Sequence, residues 1–139
     1  MTYKELNDFK TGARVNAVMS SVRGQSEQPG HAGSRGLLFL SAAACRRTIS
    51  IRKLPAPPIV TTGAPMRNIA PCGSCHGDID NKAGSPWLGG QSAVYIKAQL
   101  QAFAAGARRN DISQQMRNIA RQMTAEEIDQ VARYYEAQP

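Results

Sequence analysis

The 139-residue sequence predicts an all-α protein built around one attachment motif. Three observations carry this expectation. Ala93, Ile96, Leu100 and Phe103 recur at helical spacing and stop at Gly106. Thr124-Ala125-Glu126-Glu127 is a capping box, and Ile128, Val131, Ala132 and Tyr135 continue from it as one apolar stripe. Finally, no strand-rich stretch flanks Cys72-Gly73-Ser74-Cys75-His76, where a thioredoxin-like dithiol would need a βαβ pattern.

The C-x-x-C-H spacing at Cys72, Cys75 and His76 is that of a c-type haem attachment site. Two thiols one helical turn apart can each form a thioether to a haem vinyl group, and the histidine that follows is carried under the porphyrin to ligate iron. Zinc is the rival reading. It needs four protein ligands, or three and a water, and beyond the motif only Cys45 and His31 remain to supply them.

Several further residues carry a family resemblance. Pro86-Trp87-Leu88-Gly89-Gly90-Gln91, then Tyr95, Leu100, Phe103, Gly106, Arg108, Asn110 and Met116, resemble the cytochrome c4 branch of class I cytochromes c. The resemblance implies a class I cytochrome c fold around one covalently attached haem c, with one-electron transfer as the function and no enzymatic reaction. It also implies roles for single residues. Met116 would be the distal iron ligand opposite His76, because Met123 holds the entry to the last helix. The carbonyl of Pro86 would accept the other ring N–H of His76, and Leu88 would pack on the haem edge. Tyr95 and Arg108 would hydrogen-bond a haem propionate, with ordinary rim residues as the bland alternative. Met66 and Met123 read as packing residues. Expected partners are redox proteins such as membrane oxidases or reductases, in the periplasm. A haem enzyme or ligand sensor with an open distal side is the alternative function, and a non-functional truncated product is another.

The net charge of +7 raises the question of nucleic acid. From Gly63 onward eight basic residues face seven acidic ones, whereas residues 1–62 hold nine and three. The basic character therefore lies outside the haem-motif segment. Arg46-Arg47 and Arg52-Lys53 lack interleaved aromatics, so no nucleic-acid partner is expected. The apolar run Leu37–Cys45 is too short to span a bilayer. The opening residues Met1–Asp8 are polar and carry acids, so no secretory signal is read there, although haem attachment of this kind implies export.

Taken in order, the chain begins with an internal repeat. Leu6, Phe9, Gly12, Ala13, Arg14 and Asn16 match Leu100, Phe103, Gly106, Ala107, Arg108 and Asn110 at a constant offset. Residues 1–22 thus resemble the distal half of a preceding haem domain, with Met19 in the axial place, in a helix and a loop. The cytochrome c4 family carries two such domains in tandem. Residues 23–62 form the next expected region, disordered on composition. Within it, residues 23–50 read either as a segment translated out of frame or as a flexible linker, and 53–63 as a Pro-rich extended linker. The cytochrome domain is expected over 63–139. It would open with a short helix at Met66–Ala70. Pro71 should delay the motif helix, Ser92 should cap a helix running to about Ala105, and Ser113–Met123 should hold a short helix bearing Met116.

Overall fold

The computed structural model describes residues 2–25, 54–77 and 84–138. The readings of residues 26–53, with Cys45 and His31, lie outside the described residues. Two compact units divide at Ser50 and Ile51.

The first unit holds α1 (Thr2–Thr11) and α2 (Ala17–Gln25), packed on each other. Gly12 ends α1 in the left-handed region at φ 75°, which favours glycine. Asn16 then caps α2, its side-chain oxygen accepting the Met19 N–H at 3.0 Å. Met19 therefore sits on a helix, where the sequence led us to expect a loop: a capping asparagine three residues ahead is enough to start one.

The second unit contains five α-helical segments among its described residues: α3 (Pro58–Thr61), α4 (Gly73–His76), α5 (Ala93–Ala104), α6 (Gln115–Gln122) and α7 (Ala125–Glu136). No strands occur among the described residues; a single isolated bridge joins Ala64 and Ile69. The core gathers Ile96, Leu100 and Phe103 of α5, Ala120 of α6, and Ile128, Val131, Ala132 and Tyr135 of α7. The α7 stripe lies at the spacing its sequence predicts, and both halves of the Thr124–Glu127 capping box are present.

Four expectations need correction. The Pro-rich linker is not extended throughout: Pro58 opens the single turn α3, and Ile59 and Val60 are each only 4% exposed within the core. Proline is tolerated at a first helical position, and two adjacent β-branched apolar residues supply the burial. The short helix expected at Met66–Ala70 is instead a 3₁₀ turn, Pro65–Arg67, ended by Asn68 at φ 55°. On that turn Met66 is 98% exposed, so it packs against nothing. The side chain of Ser92 does not cap α5. The first N–H of that helix, from Ala93, is taken by Glu136 Oε1 of α7 at 2.8 Å.

The end of α5 is closed by backbone and basic side chains together. Gly106, at φ 72°, donates its N–H to Phe103 O at 3.0 Å. Arg109 Nε donates to Gly106 O at 2.8 Å, and Arg121 Nε to Ala104 O at 3.4 Å. Cations placed there also oppose the negative end of the helix dipole.

Candidate haem-attachment site

Pro71 cannot donate a backbone N–H, and the motif helix starts after it. Cys72 stands at the N-cap of α4, and His76 N donates to Cys72 O at 2.9 Å. This single turn places the Cys72 and Cys75 sulfurs as free, half-buried thiols. Cys72 N donates to Ile59 O at 3.2 Å, so α3 anchors the first cysteine. Burial among apolar neighbours pushes the Cys72 thiol up to about 11.

The His76 ring is set by the loop across from it. Its Nδ1 lies 2.7 Å from the Pro86 carbonyl oxygen. A carbonyl can only accept, so Nδ1 carries the proton and Nε2 keeps its lone pair. Burial lowers the affinity of this ring for a second proton, with the Pro86 carbonyl pulling the other way. Among the described residues, no group of three His, Cys, Asp or Glu side chains is gathered to hold a metal ion. The two thiols and the imidazole therefore do not converge as a zinc set.

Leu88 is half-buried and packs against the core, while the neighbouring Trp87 is 50% exposed. Tyr95 lies on α5, more than a third exposed.

Met116 sits in the first turn of α6, half-buried against the core. Asp111 fixes that turn. Its carboxylate accepts the Arg117 N–H at 2.9 Å and Arg117 Nε at 2.7 Å. Ser113 and Gln114, both in the left-handed region, turn the chain into the helix. Met123 is half-buried at the C-cap of α6.

The guanidinium carbon of Arg108 lies over the Phe103 ring, 4.5 Å from its centroid. Its Nε donates to Asn110 Oδ1 and its Nη1 to Gln99 Oε1, each at 2.7 Å. Gln99 escaped the sequence reading. The internal repeat was the signal that could have found it, since it occupies the place of Glu5. A second polar group was missed as well: the Tyr135 hydroxyl is a buried side-chain oxygen with no hydrogen-bond partner among the described residues.

Known proteins resemble this chain over nearly all of its length or over half of it. A cytochrome c-554(548) of Halomonas halodenitrificans is 33% identical over 73 residues, covering 50% of this chain and 87% of the relative. The chain belongs to the c-type cytochromes. With helices and no strands among its described residues, this cytochrome has a class I fold. Two longer relatives are each named thiosulfate dehydrogenase electron acceptor. The one from Stutzerimonas stutzeri is 37% identical over 138 residues, covering 95% of this chain and 63% of the relative. The one from Thiomonas intermedia is 31% identical over 144 residues, covering 97% and 64%. This cytochrome thus spans less than two thirds of those relatives' length. No family profile matches it, and no solved structure matches it.

Two free thiols on one helical turn and an imidazole with a lone pair at Nε2 are donors that fit covalent haem attachment. Met116 carries a thioether on a separately anchored helix.

Proposed function

We propose that this cytochrome carries single electrons through one haem c held by Cys72 and Cys75, with His76 and Met116 as axial ligands. The bound haem supplies the redox chemistry, and the chain supplies attachment, orientation and burial. The observation that carries this reading is the 2.7 Å contact between His76 Nδ1 and the Pro86 carbonyl, one residue beyond the two-thiol turn. Such a contact raises the basicity of a ligating imidazole and holds its plane. Met116 offers a soft, uncharged sulfur that favours the reduced metal. Leu88 supplies apolar cover, and Tyr95 and Arg108 bind the haem carboxylates.

Residues 1–22 are the distal half of a sister unit, as in the tandem cytochrome c4 arrangement, and Met19 stands in its axial place. The two longer relatives are named as electron acceptors of thiosulfate dehydrogenase. A dehydrogenase that oxidises thiosulfate is accordingly the electron donor we propose for this chain, in the periplasm.

The test is maturation of the full chain in a periplasm fitted for haem attachment. Replacing both Cys72 and Cys75 by serine should abolish haem stain on a denaturing gel, while Cys45→Ser should leave it unchanged. Stain lost in the Cys45 variant would overturn the assignment. Reduced protein should then be oxidised only slowly by oxygen and refuse carbon monoxide. Rapid carbon monoxide binding would favour a haem protein with an open distal side.

A further inference from the structure

Tyr135 is only 3% exposed, yet its hydroxyl has no hydrogen-bond partner among the described residues. A buried hydroxyl without a partner costs stability, and native folds rarely keep one without a use. The surroundings of this residue lead to the haem motif. Its carbonyl accepts the Gly90 N–H at 3.0 Å, in the loop whose Pro86 carbonyl holds His76. Its helix α7 packs on α3, and Ile59 O of α3 accepts the Cys72 N–H at 3.2 Å. Tyr135, Ile59 and Val60 share one core, and Cys72 packs against it.

Burial holds the phenolic proton more firmly than water does, and negative charge on Cys72, then on Tyr134 and Cys75, acts in the same sense. Such action falls off with distance, so the phenol stands beside the motif turn, with Cys72 the sulfur it feels more. Cys75 already has a hydroxyl at hand, since Ser74 Oγ lies 3.8 Å from its sulfur.

The chemistry of haem limits which acceptor can arrive here. Its vinyl groups and its propionates lie on opposite edges of the porphyrin, so a phenol beside the attachment cysteines is at the edge without carboxylates. Thioether formation joins the Cys72 sulfur to one vinyl carbon and passes the thiol hydrogen to the other. The sulfur keeps its lone pairs and loses its S–H, which leaves it an acceptor only. A free thiol can turn about its side chain, whereas a bonded sulfur is fixed.

We propose that the Tyr135 hydroxyl is a positioning group for the attached haem, donating a hydrogen bond to the Cys72 thioether sulfur. This rests on the reading of Cys72 as an attachment residue. The bond draws electron density from a substituent of the porphyrin and so favours the reduced iron.

The experiment compares the full-length holoprotein with Tyr135→Phe, which removes the hydroxyl and keeps the ring. Haem stain on a denaturing gel comes first: a parent without stain removes the attachment reading, and the inference falls with it. Melting temperature and midpoint potential are then measured on both stained proteins. An idle hydroxyl predicts a variant that melts at or above the parent, because a desolvated group without a partner is gone. A hydroxyl bonded to sulfur predicts a lower melting temperature and a lower potential together, and that pair supports the proposal. A melting temperature at or above the parent overturns it. A lower melting temperature with a potential at or above the parent value also overturns it, since the hydroxyl then has another partner, such as a buried water. Should Tyr135→Phe yield no holoprotein, resonance Raman spectra of the parent in ordinary and heavy water replace it. A shifted thioether C–S band supports the bond, and an unshifted one overturns it.

Discussion

Arg67 and Glu127 stand sixty residues apart in sequence and are joined side by side by two N–H···O contacts, one of them 2.9 Å long. Arg67 Nη1 also donates to Gln122 O at 2.8 Å. Glu127 meanwhile closes the capping box of α7, accepting the Thr124 N–H at 2.8 Å. One carboxylate thus ties the turn before the haem motif to the start of the last helix. The Arg67 bond and the Thr124 cap hold the Glu127 carboxyl at about 2, against an ordinary value of 4.5.

A depressed folded-state pKa has a definite sign in linkage. The stabilisation is complete above about pH 4.5 and is lost as pH falls from there toward 2. Glu127→Gln should therefore melt at a lower temperature than the parent at neutral pH, and the difference should shrink as acid is added. Thermal scans across that window check it. A difference that stays constant with pH would mean that the carboxylate contributes no charge-dependent stability.

Ile59 and Val60 carry the second prediction. Each is buried in the core, so Ile59→Ala should cost about 2–5 kcal/mol. Leu54→Ala, at a position 44% exposed, should fall within about 0.5 kcal/mol of the parent. Chemical denaturation of the two variants compares them directly. A shortened chain beginning at Thr61 should likewise lose stability, because it lacks α3.

The methionines separate by position. Met116→Ala should open the iron to carbon monoxide and lower the midpoint potential, while Met66→Ala, at a wholly exposed side chain, should change neither. Met123→Ala should weaken the fold and leave the haem spectrum intact. Visible spectra with and without carbon monoxide distinguish the three. A six-coordinate Met116→Ala protein would remove that residue from the iron.

Gly63 stands at φ 75°, and a β-carbon there would lie 2.8 Å from Pro71 N and closer still to Ile69 O. Gly63→Ala should cost at least about 1–3 kcal/mol from the backbone conformation alone. It should also disturb the approach to Cys72, so haem yield in the periplasm and melting temperature should fall together.

How much of this was legible in the sequence depended on how local the cause was. The last helix was readable because its capping box and apolar stripe lie within twelve consecutive residues. The middle helix was readable along its length, since Ile96, Leu100 and Phe103 sit a turn or two apart. Its cap was not, because the acceptor is Glu136, forty-three residues away. The Arg67–Glu127 bond was hidden for the same reason. At Pro57-Pro58 the local composition argued for extended chain, and burial of the next two side chains decided otherwise. Met66 failed in the opposite sense: nothing in an apolar side chain reveals that its turn faces water. At the haem motif the spacing of Cys72, Cys75 and His76 was visible at once. The partner that holds Arg108 became visible only when two helix ends could be laid over each other.

The bond from Ala93 N to Glu136 Oε1 gives the last turn of α7 a duty at the opposite end of another helix. The last turn of a helix ordinarily loosens at little cost. Here, loosening would strip the first turn of α5 of its acceptor, so disturbance at the end of α7 is transmitted to a segment more than forty positions upstream. Amide exchange at Ala93 is then a remote gauge of order in the last turn of α7.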